Sequence, residues 1–318
     1  MATASEATGA LGAVPRASMQ PSGPFLRRRR LVGRLVRLVL FAAASFSVFV
    51  TVGIVYILIS ESLVFFGHVP IVDFLTDTQW TPLFANPRYG ILPLLSGTLV
   101  VAGIALLVAI PAGTTLAIYL SEYAPVAMRE TIKPLLELLA GVPTVVYGYF
   151  ALLFVTPLLR TFIPGLPGFN MLAPGLVMGI MILPYVTSIS EDAMRAVPRD
   201  LREGAFALGF TRFQTATGVV VPAAFSGITA AYILGMSRAV GETMVVAIAA
   251  GQMPNLTLDP TEQAATITAY IVQVSLGDLP HDSIGYQTIF AAGLTLFVIT
   301  LAFNMIGFYL RRRFREVY

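Results

Sequence analysis

The chain has 318 residues, 56% of them hydrophobic and only 12% charged, with a formal net charge of +3. That is too apolar for a soluble domain with an ordinary surface and reads as an all-α polytopic membrane protein in a lipid bilayer. There is no cysteine, and the two histidines, His68 and His281, are far apart, so disulfides, thiolate catalysis and Cys-ligated zinc are excluded and no metal site is expected. The small positive charge sits beside the ends of apolar runs, as insertion requires, and implies no nucleic-acid partner.

Residues 1–26 are rich in Ala, Ser, Gly and Pro and lack an apolar period. Joined to the basic collar Arg27–Arg30, Arg34 and Arg37, they read as a disordered cytoplasmic tail over residues 1–37. Leu38–Ile59 is a first span, long enough at about 1.5 Å per residue to cross roughly 30 Å of hydrocarbon. The apolar run and the lead before it are both too long for a signal peptide. Glu61–Tyr89 is a polar connection with room for a short interfacial helix. Spans are predicted over 91–120, with a kink at Pro111, and over 133–158, interrupted by Gly141-Val142-Pro143. Three more follow over 170–188, 223–251 and 284–310, making residues 38–318 one six-helix transmembrane domain. An acidic loop, 252–283, precedes the last span. Glu137, Pro143, Thr144 and Tyr147 are weak functional candidates; a helix-end charge and a Pro kink explain them more simply.

Arg and Lys segregate strongly. The termini, the 129–133 segment and the 191–222 loop collect nearly all of them, while the opposite side holds Arg88 and Arg160. Six spans therefore place both termini and the 191–222 loop in the cytoplasm. The outer side carries Glu61, Asp73, Asp77, Asp259, Glu262, Asp278 and Asp282 and is therefore acidic.

The stretch 191–222 reads EDAMRAVPRDLREGAFALGFTRFQTATGVVVP. A charged island of this size cannot lie in hydrocarbon and is predicted as a surface hairpin. Pro198 suits a first helical turn. Leu201, Ala205 and Leu208 give one apolar face. Gly209 suits a left-handed C′ position. Thr211 and Gln214 have capping-box spacing for a second helix.

The fifth span contains Arg238 and Glu242, four apart and so on one helix face. An ionisable group there costs on the order of 3 kcal/mol, so both should face the bundle interior. One reading is a structural ion pair. The other is a translocation path, in which the Arg238 fork receives an oxyanion and Glu242 steadies it. The only lysine, Lys133, follows no glycine-rich loop, so the chain lacks a Walker A site for ATP.

Glu203, Gly204, Ala205, Gly209 and the Val219–Pro222 ending match, at the right separations, the EAA loop of ABC-importer permeases, with Gly204 in place of the first Ala. GETMVVAIAAGQ from Gly241, LSEYAP at 120–125 and ELLAGVPTVVYG at 137–148 resemble the PstC-type permease subunits of phosphate importers. The resemblance covers roughly residues 38–315 and implies a type I ABC-importer permease fold. It also implies a second permease subunit related by a pseudo-two-fold axis and an extracytoplasmic phosphate-binding protein. An ATPase dimer, the user of ATP and Mg, would dock at Glu203, Gly204, Ala205 and Gly209. The chain itself would bind no cofactor and catalyse nothing. A secondary transporter or channel, or a permease for sulfate or molybdate, are the alternatives.

Overall fold

The computed structural model describes residues 23–277, 279–280 and 283–313. The predicted tail up to residue 22, together with Asp278, His281, Asp282 and Arg315, lies outside them. Two compact units divide the chain at Tyr56 and Ile57. The first consists of most of helix α1 (Gly23–Phe66). Phe41, Phe46 and Phe49 stand exposed along it, a surface suited to lipid rather than water. Residues 23–37, expected to be disordered, are helical and continue directly into the span.

In the second unit α2 (Ile71–Thr76) is a short helix within the predicted polar connection. The long helix α3 (Leu92–Ile118) carries Pro111 in its interior and ends in a π turn, Tyr119–Tyr123. Helix α4 (Val126–Ala140) lies outside the span that follows it. That span is α5 (Thr144–Phe150), a π turn and α6 (Thr156–Phe162). The predicted third span therefore starts about a helix too early. Pro143 separates an amphipathic helix from an apolar one, and Pro disfavours helical geometry in the residue before it.

Helix α7 (Leu172–Arg195) runs straight through Glu191 into the segment expected to be loop. Helices α8 (Arg199–Ala207) and α9 (Arg212–Thr215) form the hairpin. A π turn and α10 (Val221–Ala223) then lead, across a 73° bend, into α11 (Phe225–Val240). The predicted fifth span, 223–251, is not continuous. It breaks after Val240, and α12 (Met244–Ala249) and α13 (Ile267–Ser275) are too short to cross a membrane. All of α13 lies in the region read as an acidic loop, and its Ile267, Thr268, Ala269 and Tyr270 are buried. Helix α14 (Ile284–Arg313) closes the chain. Among the described residues five helices are long and apolar enough to span, six when the bent pair is counted as one span. Among the described residues there is no strand, only an isolated bridge between Trp80 and Tyr89.

Packing relies on small residues, as expected where lipid supplies no hydrophobic drive between helices. Gly175 and Gly179, four apart on α7, press onto α3. A Cβ at Gly179 would lie 2.7 Å from Val108 Cβ and 3.0 Å from the Ala105 carbonyl. A Cβ at Gly97 would strike the Ala265 carbonyl at 2.5 Å, which shows how closely the segment before α13 lies on α3. On the side away from the hairpin, Phe65, Phe74, Trp80 and Tyr270 pack edge to face, burying α13 beneath an aromatic cap. Irregular backbone at this depth is tolerated because protein surrounds it.

Gly179→Val should cost about 1–3 kcal/mol by overpacking and lower the thermal midpoint of the detergent-solubilised protein. Gly204→Ala, whose Cβ meets nothing within 4 Å, should leave the midpoint unchanged or raise it. A Gly179→Val midpoint equal to that of the parent protein would refute the close α3–α7 packing.

Candidate functional site

Two places carry chemistry: the hairpin and the break in the fifth span. In the hairpin, Pro198 is the N-cap of α8, one residue before the predicted first turn. The helix ends in a Schellman motif. Gly209 has φ +84°, its N–H donates to the Phe206 carbonyl, and the Phe210 N–H donates to the Ala205 carbonyl. Thr211 and Gln214 form the reciprocal capping box. Ala205 is buried and Leu201 partly so, but Leu208 is 79% exposed. Leu208 is the C-cap, beyond the last helical turn, so it leaves the predicted apolar face. With Phe206, Phe210 and Phe213 it forms an exposed apolar crest around the turn. Glu203 and Gly204 are also exposed.

The hairpin is tied to the bundle by Arg202. Its guanidinium donates to Glu122 Oε1 and Oε2 and to the carbonyls of Met194 and Val197. Glu191, read as a loop residue, is 1% exposed at the end of α7. Lys133 Nζ donates to it at 2.7 Å and to Asp192 at 2.6 Å. Arg129 and Arg195 flank its other oxygen at 3.7 and 3.5 Å. Burial acts to lower the Lys133 pKa, but the hydrogen bonds to Asp192 and Glu191 outweigh it and hold the ammonium above its usual range. Sequence reasoning missed Glu191 because its partner lies 58 positions away.

Arg238 and Glu242 do not share a helix face. Arg238 lies in the last turn of α11, Gly241 terminates that helix and Glu242 stands in the break. Nor do they pair. The Glu242 carboxylate accepts from the N–H groups of Met244 and Val245, and its carbonyl accepts from Thr268 on α13. Arg238 lies over the Tyr185 ring, 4.5 Å from its centroid. Its Nε is buried without a hydrogen-bond partner, and it forms no ion pair among the described residues. Tyr185 is ten residues before the end of α7, so the guanidinium sits about 15 Å from the hairpin end, near mid-span. Tyr147, named earlier as a weak functional candidate, is buried and donates to the Leu139 carbonyl. Tyr185 was missed altogether. The break itself had a signal: Gly241 followed by Thr243 can end one helix and cap the next.

Among the described residues no group of His, Asp and Glu has the arrangement of a metal site. The chain can present a cation deep in the bundle and an apolar elbow at its surface; both suit transport.

Comparison with known proteins agrees. The probable ABC transporter permease protein YqgH of Bacillus subtilis is 37% identical, covering 91% of each chain. The phosphate transport system permease protein PstC of Haemophilus influenzae is 34% identical, covering 81% of this chain and 87% of its own. A chain of a bacterial ABC transporter involved in the import of the acidic polysaccharide alginate superposes with a TM-score of 0.61 at 17% identity, over 90% of this chain and 100% of that one. A chain of the MetNI methionine ABC transporter gives 0.52 at 18% identity, over 71% and 95%. At such identity these two speak for the fold alone. Residues 109–316 match the binding-protein-dependent transport system inner membrane component family, and the chain belongs to it.

Proposed function

We propose that this chain is the PstC-type permease subunit of an ATP-driven phosphate importer in a bacterial inner membrane. Both termini and the hairpin then face the cytoplasm. The observation that carries the reading is the hairpin: a rigid turn that lifts four large apolar side chains away from the bundle. In water such a crest is costly, and a groove on an ATPase subunit would cover it. Glu203, Gly204, Ala205 and Gly209 form the arm that docks there, with Ala205 small enough for close approach to the Ala216–Val220 π turn and Gly209 setting the turn. A second permease subunit completes the path, an ATPase dimer that uses ATP and Mg drives it, and an extracytoplasmic binding protein delivers phosphate.

Phosphate as cargo rests on the relatives at 31–34% identity that are phosphate transport permeases, and on what Arg238 offers. A cation in the bilayer centre costs about 3 kcal/mol or more. Stacking on an aromatic ring returns on the order of 1–2 kcal/mol. The remainder favours a passing anion, which the planar fork can grip at two oxygens. Glu242 does not quench this charge; it holds the break open by capping α12. Sulfate or molybdate would suit the same fork, so competition distinguishes them.

Uptake of radiolabelled phosphate by the reconstituted transporter should fall at least tenfold, to background, in Arg238→Gln. Arg238→Lys, which keeps charge but loses the fork, should retain part of it. Normal uptake by Arg238→Gln would remove the path role. Because a Cβ at Gly209 meets nothing, only its φ matters. Gly209→Val should uncouple ATP hydrolysis from uptake, and Gly209→Asn, which tolerates a left-handed backbone, should restore much of it. Equal coupling in both variants would contradict the turn's role. The purified chain alone should hydrolyse no ATP, and turnover above background would overturn the assignment of the motor to another subunit.

A further inference from the structure

At the hairpin end, a cavity of about 270 Å³ opens between the Tyr119–Tyr123 π turn, α4, α7 and α8. Its lining is Ser121, Glu122, Arg129, Arg195, Arg199 and Arg202. Four guanidinium groups from three helices thus share one space with a single carboxylate. Arg202 is already spent on Glu122 and two carbonyls. Arg129 gives its Nε to the Leu120 carbonyl at 2.9 Å, leaving its terminal nitrogens. Arg195 approaches only the far side of Glu191, at 3.5 Å. Arg199 is exposed and has no hydrogen bond or ion pair among the described residues. Glu191 lies behind Arg129 and Arg195 with its second oxygen held by Lys133. Glu122 is therefore engaged, Glu191 Oε1 meets Arg129 and Arg195 only at long range and without a hydrogen bond, and positive charge remains in surplus around a polar hollow. Like charges held this close repel, and an anion among them relieves the repulsion.

We propose that this cavity binds a phosphate-type oxyanion arriving from the hairpin side, either free inorganic phosphate or the phosphodiester of an anionic lipid headgroup. Guanidinium forks converging from several directions suit tetrahedral oxygens, each fork taking a pair. The volume holds one such anion with a few waters, each occupying about 30 Å³ in the liquid. An occupant joins Arg199 of α8 to Arg129 of α4 and Arg195 of α7. It thereby clamps the first arm of the hairpin to the bundle. If the hairpin relays the motor stroke, as proposed above, a clamped arm slows transport when phosphate accumulates inside. The membrane side and this consequence rest on that reading; binding does not.

Hydrogen exchange of residues 126–133 and 195–203 tests the site in the complete transporter, embedded in nanodiscs of phosphatidylcholine alone. Millimolar inorganic phosphate, against chloride at equal ionic strength, should slow exchange in both segments several-fold. If a headgroup is the ligand, nanodiscs containing phosphatidylglycerol should give the same protection without added phosphate. Either result supports the site when Arg199→Ala with Arg195→Gln abolishes it. Arg199 has no partner among the described residues to lose, so the single Arg199→Ala variant, expected to weaken the protection, guards against misfolding. An Arg238→Gln transporter should keep the protection even with uptake lost, which separates this site from the path. Exchange unchanged by either anion would overturn the proposal. So would protection that survives the double variant, or full protection from the ATPase subunits with neither anion present.

Discussion

Arg238 sits near mid-span over the Tyr185 ring with no ion pair among the described residues, and this charge constrains everything around it. The ring returns only part of the cost of burying a guanidinium in a low-dielectric interior. The rest of the structure must therefore keep that group accessible to an anion or water while sealing it from lipid. The chain does so by breaking the fifth span just after it. Gly241 ends α11, the Glu242 side chain satisfies the first N–H groups beyond the break, and Thr268 holds the Glu242 carbonyl from α13. Non-helical backbone survives at this depth because residues of α3, α7 and α13 enclose it.

The second constraint lies at the other end of α7. There the end of the helix is pinned by Lys133 of α4 through Glu191 and by Arg202 of α8, itself bonded to Glu122, through the Met194 carbonyl. Tyr185, under Arg238, belongs to this same helix. Displacement of α8 therefore has a direct physical route to the guanidinium: along Arg202 to the end of α7, and up α7 to the ring. Ion pairs on an exposed surface contribute little, but Glu191 is buried and removing one of its partners would strand a charge.

Much of this was legible in the sequence where the cause is local. A hairpin turn needs a left-handed residue and a cap, and Gly209, Thr211 and Gln214 announce both within a few positions. Spans are legible because hydrocarbon thickness sets their length. What escaped depends on distant partners. Nothing near Glu191 says that Lys133 will meet it, so a run of charges reads as loop although its first residues complete a helix. Hydropathy also does not separate a crossing helix from short helices buried in protein, which is why 223–251 looked continuous and the apolar run of α13 was absorbed into a loop. The Arg238–Glu242 spacing suggested a shared face only while the helix was assumed unbroken.

The central claim is that the elbow at residues 203–209 lies in the cytoplasm and receives work from a separate engine. The absence of native cysteine allows a direct measurement: a single Leu208→Cys probed with a membrane-impermeant thiol reagent in vesicles of each orientation. The account predicts labelling only from the cytoplasmic face of the permease without its ATPase, and protection once the ATPase subunits are assembled. Labelling from the outer face, or equal labelling with and without those subunits, would contradict it.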